Sequence, residues 1–295
     1  MSILETKNLT KYYGKSRGIL DVSMNIEQGE IFGFIGPNGA GKSTTIRTLL
    51  GFLKPSGGRA SIFGMDCFTH NNEIKADIGY VPAEVHYYDD MKVKDLLAYS
   101  AKFYKGDCSS RLNELCANLE VETNKRIDAL SFGNKKKVAI VQALLHQPRL
   151  LVLDEPTGGL DPLIQNKFFD ILHEEKSRGT TIFFSSHILS EVEKMCDRVA
   201  IIKEGRILKI ESIEKLRANK YKKLKLEHAD GDRFDDLGLT GVTALSNKGR
   251  FTEFLFNGDI NAVIGKLSQR KLDNLWIEEL SLEEIFLHYY EKEEK

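Results

Sequence analysis

The sequence predicts an α/β domain built around a parallel sheet, followed by a smaller α+β domain. Three short, nearly continuous apolar runs, at 30–36, 149–156 and 179–187, are typical of parallel strands buried on both faces. Helical periodicity dominates 90–147, between the first run and the second. Because strands alternate with helices, the fold class is α/β, and this pattern ends near residue 215.

The composition is typical of a globular protein whose cysteines are reduced. The 295 residues, 41% of them hydrophobic, are enough for one large domain or for one large and one small domain. The formal net charge of -1 produces no overall field that would attract nucleic acid. The four cysteines show no CxxC spacing, which favours a cytosolic protein, and we expect neither a signal peptide nor a membrane span. If the protein works at a membrane, it does so through a partner.

The elements of the large domain follow in order along the chain. Alternating apolar and polar stretches over 1–30 predict antiparallel strands. Glu204 and Gly205 separate two apolar stretches and indicate a hairpin turn. The other predicted elements are strands over 30–36, 58–66, 77–82, 149–156 and 179–187, a helix over 42–50, helices within 90–147, and the hairpin over 198–210.

Residues 216–295 follow a pattern of their own, which predicts a small α+β domain. The last predicted helix, SLEEIFLHYYEK, opens with a capping box formed by Ser281 and Glu284. The elements predicted before it are a basic strand over 221–228, a hairpin over 242–256, a helix from about Ile260 and a strand near 273–280.

The stretch GPNGAGKST, at 36–44, predicts a phosphate-binding loop. It fits G-x-x-x-x-G-K-[ST], with a predicted strand before it and a helix after it. Glycines let backbone N–H groups turn inward around phosphate oxygens, where a Cβ would crowd the ligand. Lys42 would reach the β- and γ-phosphates, and the Ser43 hydroxyl would bind Mg²⁺. The candidate nucleotide-binding residues here are Gly36, Pro37, Asn38, Gly39, Ala40, Gly41, Lys42, Ser43 and Thr44.

Two carboxylates and a histidine end buried strands at the edge where open α/β sheets bind ligands. The run LLVLDE delivers Asp154 and Glu155 at its carboxyl end. Asp154 would hold Mg²⁺ through water, and Glu155 could orient and deprotonate an attacking water. His187 ends the run 179–187 and could contact a γ-phosphate, although a structural histidine is the alternative.

The stretch ALSFGNKKKVAI, at 129–140, indicates a helix N-terminus that meets an anion. Ser131 is a plausible N-cap, Gly133 follows two residues later, and three lysines lie at 135–137. Each lysine at the positive end of a helix is unfavourable by about 0.3–1 kcal/mol unless an anion compensates. The lysines either add to the field at that anion or are simply solvated.

The motifs occur in one order: the P-loop, then LSFGN at 130–134, LDEP at 153–156, GLD at 159–161 and SSH at 185–187. In this order they resemble the nucleotide-binding subunit of ABC transporters over about 1–215. The resemblance implies a P-loop NTPase with a RecA-like core, an antiparallel β subdomain and a helical subdomain over about 84–147. Residues 216–295 would then be an accessory domain.

The resemblance also assigns roles to single residues. It implies that Tyr13 stacks on adenine, with Tyr12 as the alternative ring, that Glu155 is the catalytic base, and that His187 contacts the γ-phosphate. The further nucleotide-binding candidates, from the signature LSFGN and the D-loop GLD, are Ser131, Gly133 and Asp161. Ser131 and Gly133 would face the γ-phosphate held by a second copy, so the site would be complete only between two subunits.

The same resemblance implies ligands, partners and location. ATP and Mg²⁺ are the expected ligands. The expected partners are a separate integral membrane permease and a second ATP-binding subunit, in a homodimer or a pseudo-symmetric heterodimer at the cytoplasmic face of the membrane, with no nucleic acid. The variant motifs are similar to those of bacterial exporters for antibiotic resistance, peptide and ion efflux.

Two positions depart from the family pattern. Ala83 stands where the family usually has a Gln that binds Mg²⁺, so either Glu84 substitutes or the metal relies on Ser43 and Asp154. In the signature, Phe132 and Asn134 replace Gly and Gln, which could change the affinity of the dimer.

The segment after Ala83 and the choice of protein class leave alternatives open. Residues that would contact the permease are Glu84, His86, Tyr87 and Tyr88, although aromatic side chains there could equally be buried. The alternative function is a soluble ABC-type ATPase that acts as a regulator or a nucleic-acid-associated factor without transport.

Overall fold

The structure is a computed structural model, and it describes residues 2–87, 90–217, 221–228, 238, 240–268 and 270–279. The chain divides into two compact units, Met1–Ile213 and Glu214–Lys295. In the first unit the elements are β1 (Ser2–Tyr13), β2 (Ser16–Glu27), β3 (Ile31–Ile35), α1 (Lys42–Leu49), β4 (Gly57–Ile62), β5 (Met65–Asp66), α2 (Asn71–Lys75), β6 (Ile78–Val81), α3 (Val93–Ala101), α4 (Ser109–Asn118), α5 (Phe132–Leu144), β7 (Leu150–Asp154), α6 (Pro162–Ser177), β8 (Thr181–Ser186), α7 (Leu189–Met195), β9 (Arg198–Lys203) and β10 (Arg206–Ser212).

A six-stranded sheet in the order β10-β9-β3-β8-β7-β6 forms the centre of the first unit. Its strands β9, β3, β8, β7 and β6 are parallel, and β10 adds an antiparallel edge, so the predicted parallel sheet is confirmed. Every residue of β3, β7 and β8 is buried, which explains their continuous apolar sequences. The register pairs Ile35 with Ser186 and Asp154 with Ser185, so the P-loop, the carboxylates and His187 follow one edge of the sheet.

A second, antiparallel sheet has the order β2-β1-β4-β5. It confirms the strands predicted over 1–30, but the single strand predicted over 58–66 is wrong. The chain turns at Phe63 and Gly64, whose φ angles are 56° and 77°, and Ile62 then pairs with Met65 in a tight hairpin. An apolar core joins the two sheets, with Leu4 and Phe34 among its fully buried members.

The helices predicted between 90 and 147 are α3, α4 and α5. A buried ion pair ties this region to the parallel-sheet core, because Arg111 of α4 donates to Glu175 of α6 at 2.5 Å. The hairpin predicted over 198–210 is also confirmed, and its turn residues Glu204 and Gly205 have the positive φ angles, 49° and 77°, that a two-residue hairpin turn requires.

In the described part of the second unit, an antiparallel sheet packs against a helix. The helix α8 (Ile213–Arg217) lies at the boundary, and β11 (Lys222–His228), β12 (Val242–Lys248), β13 (Phe251–Phe256), α9 (Ile260–Leu267) and β14 (Leu272–Glu279) follow. The sheet order is β12-β13-β11-β14, and Leu224, Phe254 and Val263 are part of its core. The helix predicted from Ser281 lies outside the described residues. Within those residues, no helix combines the length and the apolar composition needed to cross a membrane.

Candidate functional site

The P-loop joins β3 to α1, as predicted, and its shape is fixed by backbone hydrogen bonds. Gly39 and Gly41 adopt φ angles of 79° and 109°, which few residues other than glycine adopt. The N–H of Ala40 donates to the carbonyl of Pro37 at 3.1 Å. The N–H of Gly205 donates to the carbonyl of Ala40 at 2.8 Å, so the β9–β10 turn braces the loop.

The glycines are required for two different reasons. A Cβ on Gly36 would lie 2.3 Å from the carbonyl oxygen of Ile202, and one on Gly41 would lie 2.8 Å from the Cγ2 atom of Ile19. At these positions the protein itself, rather than a ligand, leaves no room for a Cβ. A Cβ on Gly39 would meet nothing within 4 Å, so this glycine is needed for its positive φ.

A cleft of about 310 Å³ opens beside the loop. Its lining includes eight of the predicted residues, namely Tyr13, Asn38, Gly39, Gly41, Lys42, Ser43, Thr44 and Glu155. Gly36, Pro37 and Ala40 belong to the loop without lining the cleft. Three lining residues had no predicted role as binding residues: Arg17, Gly18 and Ala83. No linear motif marks Arg17 or Gly18; they reach the cleft because the β1–β2 hairpin folds beside the P-loop.

The ring of Tyr13 forms one wall of the cleft. It is 46% exposed, and its hydroxyl lies 3.4 Å from Oγ1 of Thr44. The ammonium of Lys11 lies 5.6 Å from the ring centroid. Tyr12 does not line the cleft, so the geometry favours Tyr13 as the ring available for stacking.

Lys42 is 4% exposed and lies at the floor of the loop. Its Nζ donates to the carbonyl of Gly36 at 2.7 Å and to that of Pro37 at 3.2 Å. Its third partner is Oε1 of Glu155, at 3.1 Å. A buried ammonium held chiefly by neutral carbonyls is well placed to bind a phosphate anion.

Asp154 is fully buried at the end of β7. Its Oδ1 accepts a hydrogen bond from Oγ of Ser185 at 2.8 Å, whereas Oδ2 has no hydrogen-bond partner among the described residues. A buried carboxylate oxygen without a donor is costly unless a cation or an ordered water satisfies it. The environment of Asp154 therefore fits a bound Mg²⁺, and Ser43, the other candidate ligand, lines the cleft beside the P-loop.

Glu155 connects the P-loop to His187. Its Oε1 lies 3.1 Å from Nζ of Lys42, and its Oε2 lies 3.2 Å from Nδ1 of His187. The backbone of Glu155 has a φ of 47°, and its N–H donates to the carbonyl of Ser185 at 3.2 Å. The structure thus brings the two predicted catalytic residues together beside the predicted phosphate ligand, and both are accessible from solvent. A carboxylate at this position can accept a proton, and the imidazole beside it can orient the carboxylate.

The structure does not bring Glu84 to the cleft. Its carboxylate is 80% exposed and lies 3.6 Å from Nε2 of His86, which is also exposed. The chain after Pro82 places Ala83 in the lining and Glu84 outside it, so Glu84 is not supported as a Mg²⁺ ligand. Across the described ranges, no group of three or more His, Cys, Asp or Glu side chains forms a metal centre.

Of the residues predicted to contact a permease, Glu84 and His86 are exposed. Tyr87 is not, because it packs on α5, where its hydroxyl donates to Oε1 of Gln142 at 2.5 Å and burial raises its pKa. Tyr88 lies outside the described residues.

The signature and the D-loop lie apart from the P-loop cleft. Ser131 caps α5, where its Oγ accepts from the N–H of Asn134 at 3.3 Å. Asp161 caps α6, where its Oδ1 accepts from two backbone N–H groups at 3.0 and 3.1 Å. The signature packs on the D-loop within one chain, because a Cβ on Gly133 would lie 2.2 Å from the carbonyl of Gly159. None of these residues lines the cleft.

The three lysines of the signature helix do not share one environment. Lys136 is fully buried, so the alternative that all three lysines are simply solvated is wrong for this residue. Its ammonium donates to backbone carbonyls of the loop that follows β6. Lys135 and Lys137 are partly exposed.

Comparison with known proteins agrees with this geometry. The family model described as ABC transporter matches residues 19–158. The chain is 39% identical over 235 residues to the bacitracin transport ATP-binding protein BcrA of Bacillus licheniformis, covering 79% of this chain and 77% of that protein. It is 34% identical over 213 residues to the linearmycin resistance ATP-binding protein LnrL of Bacillus subtilis strain 168. This match covers 70% of this chain and 68% of that protein.

A solved structure is similar as well. It is described as the ATP binding subunit of an ABC transporter, and it superposes with a TM-score of 0.70 at 32% sequence identity. The match covers 74% of this chain and 92% of the solved one. The similarity therefore extends over most of a complete solved subunit.

Proposed function

Because this chain belongs to the ABC transporter family, as an ATP-binding subunit with ATPase activity, we propose that it hydrolyses ATP in the cleft beside the P-loop. The observation that carries this assignment is the bridge that Glu155 makes between Lys42 and His187. In the proposed complex the adenine stacks on Tyr13, and the β- and γ-phosphates replace the loop carbonyls and Glu155 as partners of Lys42.

Mg²⁺ is the proposed metal, held by the hydroxyl of Ser43 and, through water, by Asp154. The unpartnered Oδ2 of Asp154 and the position of Ser43 in the cleft support this pair of ligands. When bound, the ion would neutralise charge on the β- and γ-phosphate oxygens. Ser185 would keep Asp154 in orientation through its bond to Oδ1.

The remaining steps fall to the chain's own residues. The Glu155 carboxylate would accept the proton of the attacking water, and the P-loop N–H groups would hold the phosphates. His187 would orient Glu155 and, once the phosphates draw Lys42 away, contact the γ-phosphate. Glu155 lines the P-loop cleft and also an adjacent pocket, and His187 lines that adjacent pocket, where a second subunit could enclose both residues.

The proposed active form is a dimer. Ser131 and Gly133 do not line the cleft of their own chain, and Ser131 lies at the positive end of α5. In a dimer, these residues would meet the γ-phosphate bound to the other subunit, and Asp161 would lie at the same interface. The second subunit would be another copy of this chain or a related one.

The proposed partner is a separate integral membrane permease at the cytoplasmic face of the cell membrane. The names of the two relatives, bacitracin transport and linearmycin resistance, support export as the direction and drugs or peptides as the cargo, with ions as the further class. Residues 1–215 would form the nucleotide-binding domain, and 216–295 an accessory domain.

Steady-state ATPase assays on the purified chain test the hydrolytic site. The parent is expected to hydrolyse ATP only with Mg²⁺. Glu155→Gln is expected to lower kcat by about a hundredfold or more while it still binds ATP, because an amide cannot accept the proton. Lys42→Ala is the matched variant for binding, and it is expected to lose ATP affinity in calorimetry. Glu155→Gln with parental turnover would rule out the assignment of the base.

A further inference from the structure

Lys136, the fifth residue of α5, is a buried cation with an unusual set of partners. Its side chain is fully buried. The ammonium donates to the carbonyl of Pro82 at 2.8 Å and to that of Ala83 at 2.6 Å, and it lies 3.5 Å from the carbonyl of Glu155. Two N–H donors of the lysine thus make short hydrogen bonds to backbone carbonyls, and the carbonyl of Glu155 lies at the outer limit of hydrogen-bond distance.

Burying the ammonium of Lys136 in this way costs folding free energy. Burial of an ammonium among neutral groups removes its hydration, and burial lowers the pKa of Lys136. The carboxylates of Asp154, Glu155 and Glu84 favour the charged form from a greater distance. Among the described residues no carboxylate lies within ion-pair distance of it, so its close partners are backbone oxygens.

The three carbonyls belong to segments that the site needs in a fixed arrangement. Pro82 and Ala83 follow β6, and Glu155 follows β7, which is the neighbouring parallel strand. Ala83 and Glu155 both line the cleft. Lys136 itself belongs to the helix that opens with the signature, and its ammonium lies 5.7 Å from the ring centroid of Phe132.

The contact with Glu155 has a direct consequence for the catalytic carboxylate. Glu155 adopts a φ of 47°, a conformation that costs energy for a residue with a side chain. Ser185 holds the N–H of Glu155, and Lys136 lies against its carbonyl. The backbone is therefore held on both sides of the Cα atom, and this fixes the direction in which the carboxylate leaves the chain.

We propose that Lys136 is a positioning residue for ATP hydrolysis, which fixes the Ala83 loop and the Glu155 turn against the N-terminal part of the signature helix. The inference rests on the hydrolytic function proposed above. Lys136 touches no expected position of ATP, so its removal should slow turnover without weakening ATP binding. A misplaced catalytic group can cost about a hundredfold in rate.

The test uses three variants of the purified full chain. Lys136→Met keeps the length and apolar stem but removes the donors. Lys136→Gln keeps two N–H donors. Lys137→Met, one residue along the same helix, is the matched control because it also removes one lysine charge. The measurements are kcat, KM for ATP, ATP affinity by calorimetry and the thermal midpoint.

Lys136→Met is expected to lower kcat by about tenfold to a hundredfold, with KM and ATP affinity within about twofold of the parent. The kcat of Lys136→Gln is expected to lie between those of Lys136→Met and the parent, and the kcat of Lys137→Met is expected to equal that of the parent. Parental kcat in Lys136→Met would overturn the proposal. Equal losses of kcat and ATP affinity would also overturn it, because they would indicate a general structural role.

If Lys136→Met does not fold, Lys136→Gln decides the question. A reduced kcat at unchanged KM then supports the proposal, and a parental kcat overturns it. A parent chain without Mg²⁺-dependent ATPase activity would overturn the proposed function itself. An active parent with an equally active Lys136→Met is a different result, because it would overturn only the role proposed for Lys136.

Discussion

Glu155 shows how much of the site depends on a single residue. Its sequence context, an acid at the end of an apolar strand, predicts a carboxylate at the sheet edge. The structure adds a left-handed backbone and two close partners, Lys42 and His187, neither of which is near Glu155 in sequence. The geometry that makes the residue a plausible base therefore comes from tertiary structure.

A prediction at this scale concerns the two adjacent tyrosines. Tyr13→Ala is expected to weaken ATP binding by about tenfold, because an aromatic platform contributes about 1–3 kcal/mol to binding a stacked base. Tyr12→Ala is the matched control, since Tyr12 is equally exposed but does not line the cleft, and it is expected to stay within about twofold. Calorimetric titration with ATP checks both. The reverse order of effects would show that Tyr12 is the stacking ring.

The contacts that the sequence motifs did not predict share one property: they join residues that are far apart along the chain. Arg17 reaches the cleft as part of a neighbouring hairpin, and Lys136 binds carbonyls more than fifty residues earlier. Ser185 fixes Asp154 only because β8 pairs with β7 in register. A motif reports the order of residues along the chain, whereas these contacts depend on how strands are placed side by side.

At the scale of elements, the predictions from the sequence were most accurate for the strands that are completely buried. The fully buried strands β3, β7 and β8 are confirmed, because continuous apolar runs of this length suit a parallel sheet covered on both faces. The prediction of a single strand over 58–66 was wrong because Phe63, a bulky residue, adopts a left-handed backbone conformation that the sequence does not indicate.

A prediction at the element scale concerns the packing of the ends of α3 and α5. His146, just after α5, stacks on Tyr104 with the ring centroids 3.7 Å apart, and burial lowers its pKa to about 4. Its ordinary pKa is 6.5, so the unfolded chain binds the proton first as pH falls. The folded state should therefore lose stability from His146 progressively between pH 6.5 and pH 4, and lose nothing from it above pH 7.

His146→Phe keeps a stacking ring and removes the titration. Between pH 7.5 and pH 5, the variant is expected to lose about 1 kcal/mol less stability than the parent, after allowance for solvent screening of a partly exposed ring. Urea unfolding at the two pH values measures this difference. An identical loss in both proteins would mean that His146 titrates normally in the folded state.

At the scale of the whole molecule, the two regions of the proposed ATP site lie apart in the isolated chain. The P-loop and Glu155 line one cleft and His187 contacts Glu155, whereas Ser131 and Asp161 occupy helix caps elsewhere. One copy therefore presents a phosphate cradle and, separately, a helix N-terminus suited to an anion. In the proposed dimer, both regions act on one ATP because the second subunit supplies its signature and D-loop.

The packing of the signature on the D-loop provides the sharpest test of that dimer. A Cβ on Gly159 would lie 2.4 Å from the ring of Phe132, at a φ of 80°, whereas one on Gly158 would meet only the carbonyl of Glu155, at 3.7 Å. In a Glu155→Gln background, where ATP persists, Gly159→Ala should displace the signature, and Gly158→Ala should not.

We expect light scattering to show ATP-dependent dimers for Glu155→Gln alone and with Gly158→Ala, and mainly monomers with Gly159→Ala. ATP affinity for the monomer should be the same in all three, because neither glycine lines the P-loop cleft. A Glu155→Gln chain that stays monomeric with saturating ATP at high concentration would contradict the shared site, and undiminished dimers with Gly159→Ala would remove Phe132 and its D-loop contact from the interface.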